Sequence, residues 1–586
     1  MSEPRKDAKV YDAAMMRRLW GYIRPHRRLV VYSLLVLFAV SAVQLVQPYL
    51  IKRVIDDQIG TGQLEGLGLL AGLFLGALVL EFLLRFAQIY LLEQTGQSVV
   101  YDLRQQTFAH LQRLPSSFFD RNPVGKLMTR LTSDVEALHE LFTSGVVMIL
   151  ADLVKLVGIV VILLWMDWRL ALVTFAIVPP TLILTWYFRA RMRATYRRVR
   201  SLIAKLNAEL QENVTGMRVV QLFGREKQVE EEFGSTNEEH QDAQLLAVRY
   251  DSIFSAIAEL IGSITLALLI WAGGRGILDG WVTFGTLVAF IDYAAKFFRP
   301  VQELSQRYTV MQSAMAAGER IFGLLDTETT IRSPENPVRI ENRLKGEIVF
   351  ENVTFAYNEG EPVLHDISFR VAPGEKVGVV GWTGSGKSTL IRLLVRLYDI
   401  QEGRITLDGV DIRDYDLTEL RRSVGVVLQD PFLFAGSIET NISLGDPEIG
   451  ADRVRAAAEA VRADRFIDKL PDRFEEIVRE RGNNLSTGEK QLLSFARAIA
   501  FDPAVLVLDE ATASIDPETE RSIQRALEQL LKGRTSILIA HRLTTVRDAD
   551  RILVLHQGRL VEEGPHETLV DLPDGIYRKL HALQNA

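Results

Sequence analysis

The chain has 586 residues, of which 48% are hydrophobic, and its formal net charge at neutral pH is −7. This length predicts several domains rather than a single core. The acidic balance argues against a nucleic-acid-binding protein. The absence of cysteine excludes disulfides, thiolate catalysis and cysteine metal sites.

Six apolar segments predict a membrane domain, because each has roughly the twenty residues that a helix needs to cross a bilayer. They cover residues 29–51, 67–90, 142–166, 168–188, 252–273 and 282–304. Arginines precede the first segment, and the basic stretch RARMRATYRRVRSLIAK (189–205) follows the fourth. Basic residues stay on the cytoplasmic side, so both termini are predicted to be cytoplasmic. We expect no cleavable signal peptide, since residues 1–28 are polar and arginine-rich.

Two inner connections, roughly 91–141 and 189–251, are far longer than the outer turns. They are polar but keep apolar residues at helical spacing, which predicts membrane helices that continue into the cytoplasm. Each has a break, at SSFFDRNPVG (116–125) and at NVTGMRVVQLFGRE (213–226). The alternative, a disordered loop, is disfavoured by the periodicity that runs through both connections.

Charged residues within the apolar segments occur at helical spacing of three or four. Two explanations stay open at this point: pairs that neutralise each other within a helix, and the walls of a wet substrate cavity. The pairs are Glu81 with Arg85, Asp152 with Lys155, and Asp292 with Lys296.

The pattern GWTGSGKST (381–389) predicts a phosphate-binding loop, since it follows the apolar strand KVGVV and precedes the amphipathic stretch LIRLLVRLY. Glycines in the loop let backbone N–H groups approach phosphate oxygens. Lys387 is predicted to reach the β- and γ-phosphates, and the Ser388 hydroxyl to bind Mg²⁺. The candidate ATP-binding residues of the loop are Gly381, Thr383, Gly384, Ser385, Gly386, Lys387, Ser388 and Thr389.

A second apolar strand, AVLVLDEAT (504–512), ends in two acidic residues. Asp509 is predicted to hold Mg²⁺ through water, and Glu510 to polarise the attacking water. Four apolar residues followed by Asp-Glu are a weak signal alone. Downstream of a phosphate loop, they strengthen the prediction of a nucleoside triphosphatase.

Taken in order, these motifs resemble those of ATP-binding-cassette (ABC) exporters that fuse six transmembrane helices to one nucleotide-binding domain. The resemblance covers nearly the whole chain. Tyr357 matches the aromatic residue that stacks on adenine. Gln429 in VVLQDPFLF matches the glutamine that links Mg²⁺ to the attacking water, and His541 in LIAHRL matches the switch histidine.

This resemblance implies ATP and Mg²⁺ as cofactors. The catalytic residues that it implies are Glu510, His541 and Gln429, and the implied metal ligands are Ser388, Gln429 and Asp509.

The implied fold is a membrane all-α six-helix transmembrane domain with long cytoplasmic helical extensions, fused to an α/β P-loop NTPase (ABC ATPase) domain. The breaks near 116–125 and 213–226 match coupling helices, the second of which usually reaches the partner chain. The implied location is the inner (plasma) membrane, with a cytoplasmic nucleotide-binding domain. The expected limits are an N-terminal segment with an elbow helix at 1–28, the transmembrane domain at 29–325, a linker at 326–345 and the nucleotide-binding domain at 346–586.

The stretch NNLSTGEKQ (483–491) resembles the signature motif of the family in an altered form. The family builds each ATP site from the loops of one nucleotide-binding domain and the signature of another, so Ser486 and Gly488 are implied nucleotide contacts. The usual sequence is LSGGQ, and this chain has Thr487 and Glu489 at the two changed positions. Thr487 adds a β-branched side chain that limits backbone approach to phosphate. Glu489 places a carboxylate near a triphosphate, which Coulomb repulsion disfavours.

An unaltered Glu510 beside an altered signature is the pattern expected of one member of an asymmetric pair. The favoured partner is a second ABC half-transporter that carries LSGGQ and lacks the catalytic glutamate. A homodimer with a drifted signature is the alternative. The expected activity is ATP-driven export of small hydrophobic or amphipathic substrates (drugs, lipids or peptides) across the lipid bilayer, by alternating access. Two alternative functions are a homodimeric lipid flippase and an ATP-gated channel or regulator. Six apolar spans argue against a soluble cassette ATPase that acts on ribosomes or DNA.

Overall fold

A computed structural model describes residues 13–62, 65–358, 360–509, 517–539 and 543–585 of the chain. These residues form two compact units. The first unit contains the described residues up to Ala109 together with Met128–Asp326, and the second contains His110–Leu127 and the described residues from Thr327 onward. The segment around the first predicted coupling helix therefore belongs to the second unit.

The helices before the linker are long, as the apolar segments and their periodic extensions predict. Short π-helical segments follow the first membrane helix, at Val54–Ile59, and precede the third, at Leu141–Val146. The helices are α1 (Ala13–Ile23), α2 (Arg27–Arg53), α3 (Leu67–Leu111), α4 (Ser116–Arg121), α5 (Val124–Leu131), α6 (Ser133–Glu140), α7 (Val147–Met166), α8 (Trp168–Phe175), α9 (Val178–Thr215), α10 (Met217–Leu222), α11 (Glu226–Leu278) and α12 (Phe284–Leu325).

Among the described residues, five helical stretches are long and apolar enough to cross a membrane: Ala14–Ile59, Leu67–Leu111, Val124–Met166, Trp168–Thr215 and Glu226–Leu278. They contain the first five predicted spans. The sixth, 282–304, falls on α12 except for its first two residues, and its role as a span stays a prediction. Asp167 ends the tight turn between the third and fourth spans, where its carboxylate accepts hydrogen bonds from the backbone N–H groups of Arg169 and Leu170.

The short helix α1 is amphipathic and docks on α3, α6 and α12. Met15 and Leu19 are buried in a cluster with side chains of α3, α6 and α12. The polar face of α1 is anchored as well, because the Arg18 guanidinium lies 2.6 Å from the Asp326 carboxylate. This helix lies where the sequence predicts an elbow helix.

The charged residues of the membrane segments pair partly across helices. Asp292 and Lys296 lie 3.1 Å apart within α12, as their spacing predicts. Asp152 instead has a partner on another helix, since its carboxylate lies 3.0 Å from the Arg307 guanidinium. The Glu81 carboxylate accepts hydrogen bonds from two glutamine side chains of α2, Gln44 at 2.6 Å and Gln47 at 2.5 Å.

The strands of the second unit form two main sheets. A four-stranded antiparallel sheet has the order β2-β1-β4-β5, a six-stranded sheet has the order β12-β11-β3-β10-β9-β6, and β7 and β8 pair separately. The strands are β1 (Ile348–Ala356), β2 (Pro362–Val371), β3 (Lys376–Gly381), β4 (Glu402–Leu407), β5 (Val410–Asp411), β6 (Val424–Val427), β7 (Gly436–Ser437), β8 (Ile477–Val478), β9 (Val505–Asp509), β10 (Thr535–Ile539), β11 (Arg551–His556) and β12 (Arg559–Gly564).

Helices cover this sheet, which makes the second unit an α/β domain. They are α13 (Lys387–Leu394), α14 (Leu417–Ser423), α15 (Ile438–Ser443), α16 (Ala451–Ala460), α17 (Asp464–Ile467), α18 (Thr487–Phe501), α19 (Pro517–Leu531), α20 (Leu543–Val546), α21 (His566–Asp571) and α22 (Ile576–Asn585). The predicted fold class, a helical membrane domain fused to an ABC-type α/β ATPase domain, is confirmed.

The central parallel strands are apolar on both faces, because each face packs on a different layer. In β9, Val505 and Val507 point toward the layer that holds α13, whereas Leu506 and Leu508 point toward the layer that holds α18. The phosphate-loop helix and the helix that follows the signature therefore lie on opposite faces of one sheet.

Candidate nucleotide site

The phosphate loop connects the end of β3 at Gly381 with the start of α13 at Lys387. Gly386 adopts φ +100°, and a Cβ there would lie 2.5 Å from a methyl carbon of Leu364, so only glycine fits. Gly384, also left-handed at φ +82°, has open space beside it. The backbone of the loop is thus exposed where a phosphate is predicted to lie.

Two side chains of the loop have the properties of phosphate ligands. The Ser385 hydroxyl is buried and has no hydrogen-bond partner among the described residues. An orphaned polar group of this kind is costly unless something pairs with it. The buried Lys387 donates hydrogen bonds to the carbonyl oxygens of Gly381 at 2.9 Å and Trp382 at 3.0 Å, which hold its ammonium group over the loop. Both groups fit the phosphates of a nucleotide.

The remaining chemistry lies at one edge of the six-stranded sheet. Strands β3, β10, β9 and β6 are parallel neighbours, so their carboxyl ends meet at the same edge. The phosphate loop follows β3, Asp509 ends β9, and Gln429 comes two residues after β6. Glu510 and His541 lie outside the described residues. In the sequence, Glu510 directly follows Asp509, and His541 comes two positions after the end of β10.

The predicted metal ligands present oxygen atoms of three kinds. Ser388 offers an exposed hydroxyl, Gln429 an exposed amide and Asp509 a partly buried carboxylate. Hard oxygen donors suit Mg²⁺, which usually keeps waters and substrate phosphates among its ligands. In the described part of the chain no cluster of three or more His, Cys, Asp or Glu side chains is arranged to hold a metal by itself. The donor set therefore fits a cation that is bound together with a triphosphate.

Tyr357 directly follows β1, and its side chain contacts the phosphate-loop helix α13. Its hydroxyl lies 3.0 Å from the Thr389 hydroxyl and 3.4 Å from an Arg392 guanidinium nitrogen. The ring of Tyr398 meets the Tyr357 ring edge-on, with centroids 5.0 Å apart. These contacts fix the predicted adenine-stacking ring relative to the phosphate loop.

The first predicted coupling segment lies against this aromatic group, and the sequence gives no sign of the residues that make the contact. Arg121 of α4 donates hydrogen bonds to the Tyr357 carbonyl oxygen at 3.2 Å and to the Asn358 side chain at 3.3 Å. Next to it, the Tyr398 hydroxyl donates to the Asp120 carboxylate. Burial and this hydrogen bond raise the pKa of Tyr398 to about 12, so the phenol remains a donor at neutral pH.

The signature forms the N-terminus of α18, with Ser486 as its cap. The Ser486 hydroxyl accepts a hydrogen bond from the Glu489 backbone at 3.3 Å. The Glu489 carboxylate in turn accepts from both the backbone N–H and the hydroxyl of Ser486, each at 2.8 Å. This is a capping box, a common helix start in which the two residues satisfy each other. Gly488 is buried, whereas Ser486 is exposed.

The predicted nucleotide contacts thus fall into two groups. Tyr357, the phosphate loop, Gln429 and Asp509 gather at the carboxyl edge of the sheet. Ser486 and Gly488 belong to α18, which packs on the opposite sheet face from α13. The structure does not bring the two groups together within one chain.

Comparison with known proteins agrees with this arrangement. A model of the ABC transporter transmembrane region matches residues 30–301, and a model of the ABC transporter family matches residues 364–513. The ABC transporter ATP-binding protein YknV of Bacillus subtilis is 41% identical over 98% of this chain and 95% of its own length. The chain belongs to the ABC transporter family.

Further relatives of this ABC transporter point to export. A probable multidrug resistance ABC transporter ATP-binding/permease protein, YheH of Bacillus subtilis, is 40% identical over 89% of this chain and 77% of its own length. An ATP-dependent lipid A-core flippase of Syntrophus aciditrophicus is 35% identical over 97% of this chain and 94% of its own length. A solved bacterial Atm1-family ABC exporter with ATP bound is 30% identical, with a TM-score of 0.77, over 96% of this chain and 98% of that one.

These findings make the chain an ABC exporter of the multidrug and lipid-flippase type, with a transmembrane region and an ATPase domain in one polypeptide. It binds and hydrolyses ATP and is a multi-span membrane protein. ABC exporters work as dimers. The identity of the second subunit is the question that the signature raises.

Proposed function

We propose that this chain is the hydrolytically competent half of a heterodimeric exporter. Its own phosphate loop, Tyr357, Gln429, Asp509, Glu510 and His541 form one half of an ATP site, and the signature of a different chain completes that site. The single observation that carries the proposal is the position of the Glu489 carboxylate, which lies 2.8 Å from both the hydroxyl and the backbone N of Ser486 at the start of α18.

The Glu489 carboxylate weakens the signature through its charge. It lies 2.8 Å from the hydroxyl of Ser486, an implied nucleotide contact. It therefore adds negative charge where a triphosphate would approach, with a repulsion of up to about 4 kcal/mol for two unit charges 4 Å apart near a protein surface. Thr487, exposed at the first turn of α18, adds bulk at the same place. A site closed by this signature is expected to turn over slowly.

The phosphate loop supports fast hydrolysis at the other site. Its open backbone and the N-terminus of α13 bind the phosphates, and Lys387 moves from the carbonyls of Gly381 and Trp382 to the β- and γ-phosphates. Glu510 polarises the attacking water, while Gln429 and His541 orient the water and the γ-phosphate. Ser388, Gln429 and Asp509 would hold Mg²⁺, which neutralises charge on the phosphates when it is bound.

We further propose the topology and domain limits that the sequence predicts. Both termini and the nucleotide-binding domain lie in the cytoplasm, and the chain spans the inner (plasma) membrane. The limits are 1–28 for the N-terminal segment, 29–325 for the transmembrane domain, 326–345 for the linker and 346–586 for the nucleotide-binding domain. ATP binding clamps two nucleotide-binding domains together, and the coupling segments near 116–125 and 213–226 transmit that movement to the membrane helices.

The proposed cargo is a small hydrophobic or amphipathic molecule. The polar groups of the membrane helices, including the Gln44–Gln47–Glu81 cluster, support a cavity that takes molecules with both apolar and polar parts. Likeness to a probable multidrug resistance transporter favours a drug-like substrate.

A homodimeric lipid flippase is the second candidate, favoured by the likeness to the ATP-dependent lipid A-core flippase. In a homodimer, both ATP sites would use the Thr487–Glu489 signature. The two candidates therefore differ in which chains occupy one complex.

Two distinguishable tags on copies of this chain, co-expressed in its native host, separate the candidates. If the exporter is a heterodimer, purification through one tag should recover an equal amount of a second, untagged polypeptide of similar size. The copy of this chain that carries the other tag should be absent from the complex. Recovery of both tags in one complex, at the level expected for random pairing, would contradict the heterodimer and favour the flippase-like homodimer.

A further inference from the structure

Residues 189–200 of α9 contain a dense set of arginines. Six arginines occur between residues 189 and 200, and no acidic residue lies between Asp167 and Glu209. The five whose side chains are described are all exposed: Arg191, Arg193, Arg197, Arg198 and Arg200.

These arginines differ from others in the same unit in having no carboxylate partner among the described residues. Arg18, Arg307 and Arg320 each pair with an aspartate. Of the five on α9, Arg191 alone makes a recorded side-chain contact within the described chain, a cation–π contact at 4.1 Å from the Tyr187 ring centre. The acidic residues of α11 at this level, Asp242 and Asp251, are exposed and have no ion pair with the arginines.

Three of the arginines form a single stripe along the helix. Arg193, Arg197 and Arg200 each come two residues before a buried residue, Thr195, Val199 and Leu202 respectively. Two residues correspond to about 200° of rotation around an α-helix. Since Val199 and Leu202 pack on Ala243 and Ala247 of α11, the stripe faces away from α11.

The stripe begins in the inner headgroup layer and continues past it. Counted from Trp168 at the outer turn, a rise of 1.5 Å per residue places Arg193 about 38 Å and Arg200 about 48 Å along the chain. The hydrocarbon core and both headgroup layers together span about 40–45 Å, so Arg193 falls within the inner headgroup layer and Arg200 lies roughly 3–8 Å beyond it, within reach of a long arginine side chain. Exposed Trp186 and Tyr187 precede the arginines, at the level where interfacial aromatics lie.

We propose that the face of α9 formed by Arg193, Arg197 and Arg200 binds the phosphate groups of anionic phospholipids in the inner leaflet. Guanidinium groups bind phosphate oxygens in bidentate fashion, and clustered cations just inside a membrane helix attract anionic headgroups. The preference of basic residues for the cytoplasmic side explains a basic segment, but not three arginines that have no carboxylate partner among the described residues and align on the face turned away from α11. The inference rests on the proposed cytoplasmic orientation of α9, and it is independent of how the ATP sites are paired.

The test compares full-length wild-type chain with the variant R193Q/R197Q/R200Q in detergent. Native mass spectrometry measures the apparent Kd for added phosphatidylglycerol and, separately, for phosphatidylcholine. We expect the Kd for phosphatidylglycerol to rise at least ten-fold in the variant while that for phosphatidylcholine stays unchanged. The matched control R453Q/R455Q/R578Q removes three exposed arginines of the other unit and should leave both constants unchanged.

Equal phosphatidylglycerol binding by wild type and variant would overturn the inference. Loss of the phosphatidylglycerol preference on addition of the second half-transporter would also overturn it, because carboxylates of that partner would then be the ligands. A variant with arginine replaced by lysine at all three positions guards against misfolding, and should bind with intermediate affinity. ATP-analogue binding by each variant, measured in parallel, separates failure of this inference from failure of the proposed function.

Discussion

The guanidinium group of Arg121 donates a hydrogen bond to the backbone carbonyl oxygen of Tyr357, with 3.2 Å between nitrogen and oxygen. Arg121 belongs to the short helix in the first predicted coupling segment, and Tyr357 is the predicted adenine-stacking residue. We therefore expect this contact to transmit a movement of the loop after β1 to the first predicted coupling segment.

Replacing Arg121 with alanine is expected to uncouple transport from ATP binding. A hydrogen bond to a charged group contributes about 1.5–3 kcal/mol, and less where it is exposed. We predict that transport into inverted vesicles falls up to about ten-fold, while the Kd for an ATP analogue stays within about two-fold. The variant R121K keeps the charge and should lose less. A parallel loss of nucleotide affinity and transport would show that Arg121 acts on binding rather than on coupling.

The ring and the hydroxyl of Tyr357 are expected to contribute differently to ATP binding. Tyr357→Ala removes the stacking surface and should raise the Kd for ATP about ten-fold, since an aromatic contact adds roughly 0.5–1.5 kcal/mol beyond its buried area. Tyr357→Phe removes only the hydroxyl that contacts Thr389 at 3.0 Å, and should change the Kd by less than about three-fold. Fluorescent-nucleotide titration measures both constants. Equal losses in the two variants would contradict the stacking role.

Glu510→Gln is expected to stop turnover without preventing ATP binding. The substitution keeps shape but removes the base that polarises water, and positioned general bases contribute about 10²- to 10⁴-fold. Phosphate release, measured with the partner chain present, should fall by at least about 100-fold, with ATP still retained on the protein. Undiminished phosphate release would refute the assignment of Glu510.

Asp416 caps α14 and ties the linker to the ATPase domain. Its carboxylate accepts hydrogen bonds from the Ser333 hydroxyl at 2.9 Å and from the backbone of Thr418 and Glu419. The Ser333 bond and then the backbone bonds lower the pKa of Asp416 below its ordinary value. Asp416→Ala should destabilise the domain by about 1 kcal/mol at neutral pH, the usual cost of a lost cap.

The pH dependence of that effect has a definite sign. A folded pKa below the unfolded value of about 3.9 gives stability that is present above that pH and is lost as the pH falls through the folded pKa. Thermal unfolding of the full chain in detergent should therefore show a wild-type advantage over Asp416→Asn at pH 7 that shrinks below about pH 4. Asn keeps a capping oxygen but cannot ionise. An advantage that grew in acid would contradict the assignment.

The sequence was informative where function depends on residues that are close in the chain. The strand–loop–helix order around Lys387 follows from local patterns. The partners of three other residues do not follow from local patterns, because they belong to elements far away in the sequence. These pairs are Glu81 with Gln44, Asp152 with Arg307, and Tyr357 with Arg121. For Glu81 and Asp152, spacing alone left two explanations open, pairing within the helix and a wet cavity.

The signature shows that a local pattern can also be missed. The sequence analysis predicts repulsion between Glu489 and a triphosphate but not the contact of the Glu489 carboxylate with both donor groups of Ser486. The spacing Ser-x-x-Glu at the start of a helix is the signal that could have predicted this capping box.

The account depends most on the charge that Glu489 places at the start of α18, and the variant T487G/E489Q, which restores LSGGQ, tests it directly. Glutamine keeps the capping geometry and removes the charge, so α18 should remain intact. The measurement is the ATPase rate of this chain purified without a partner, in lipid vesicles. The control is the isosteric change Glu459→Gln at an exposed position of α16. We predict slow hydrolysis in wild type and control, and a rise of at least about ten-fold in T487G/E489Q that Glu510→Gln abolishes. Fast hydrolysis by the unaltered chain alone, with no further rise in T487G/E489Q, would contradict the account.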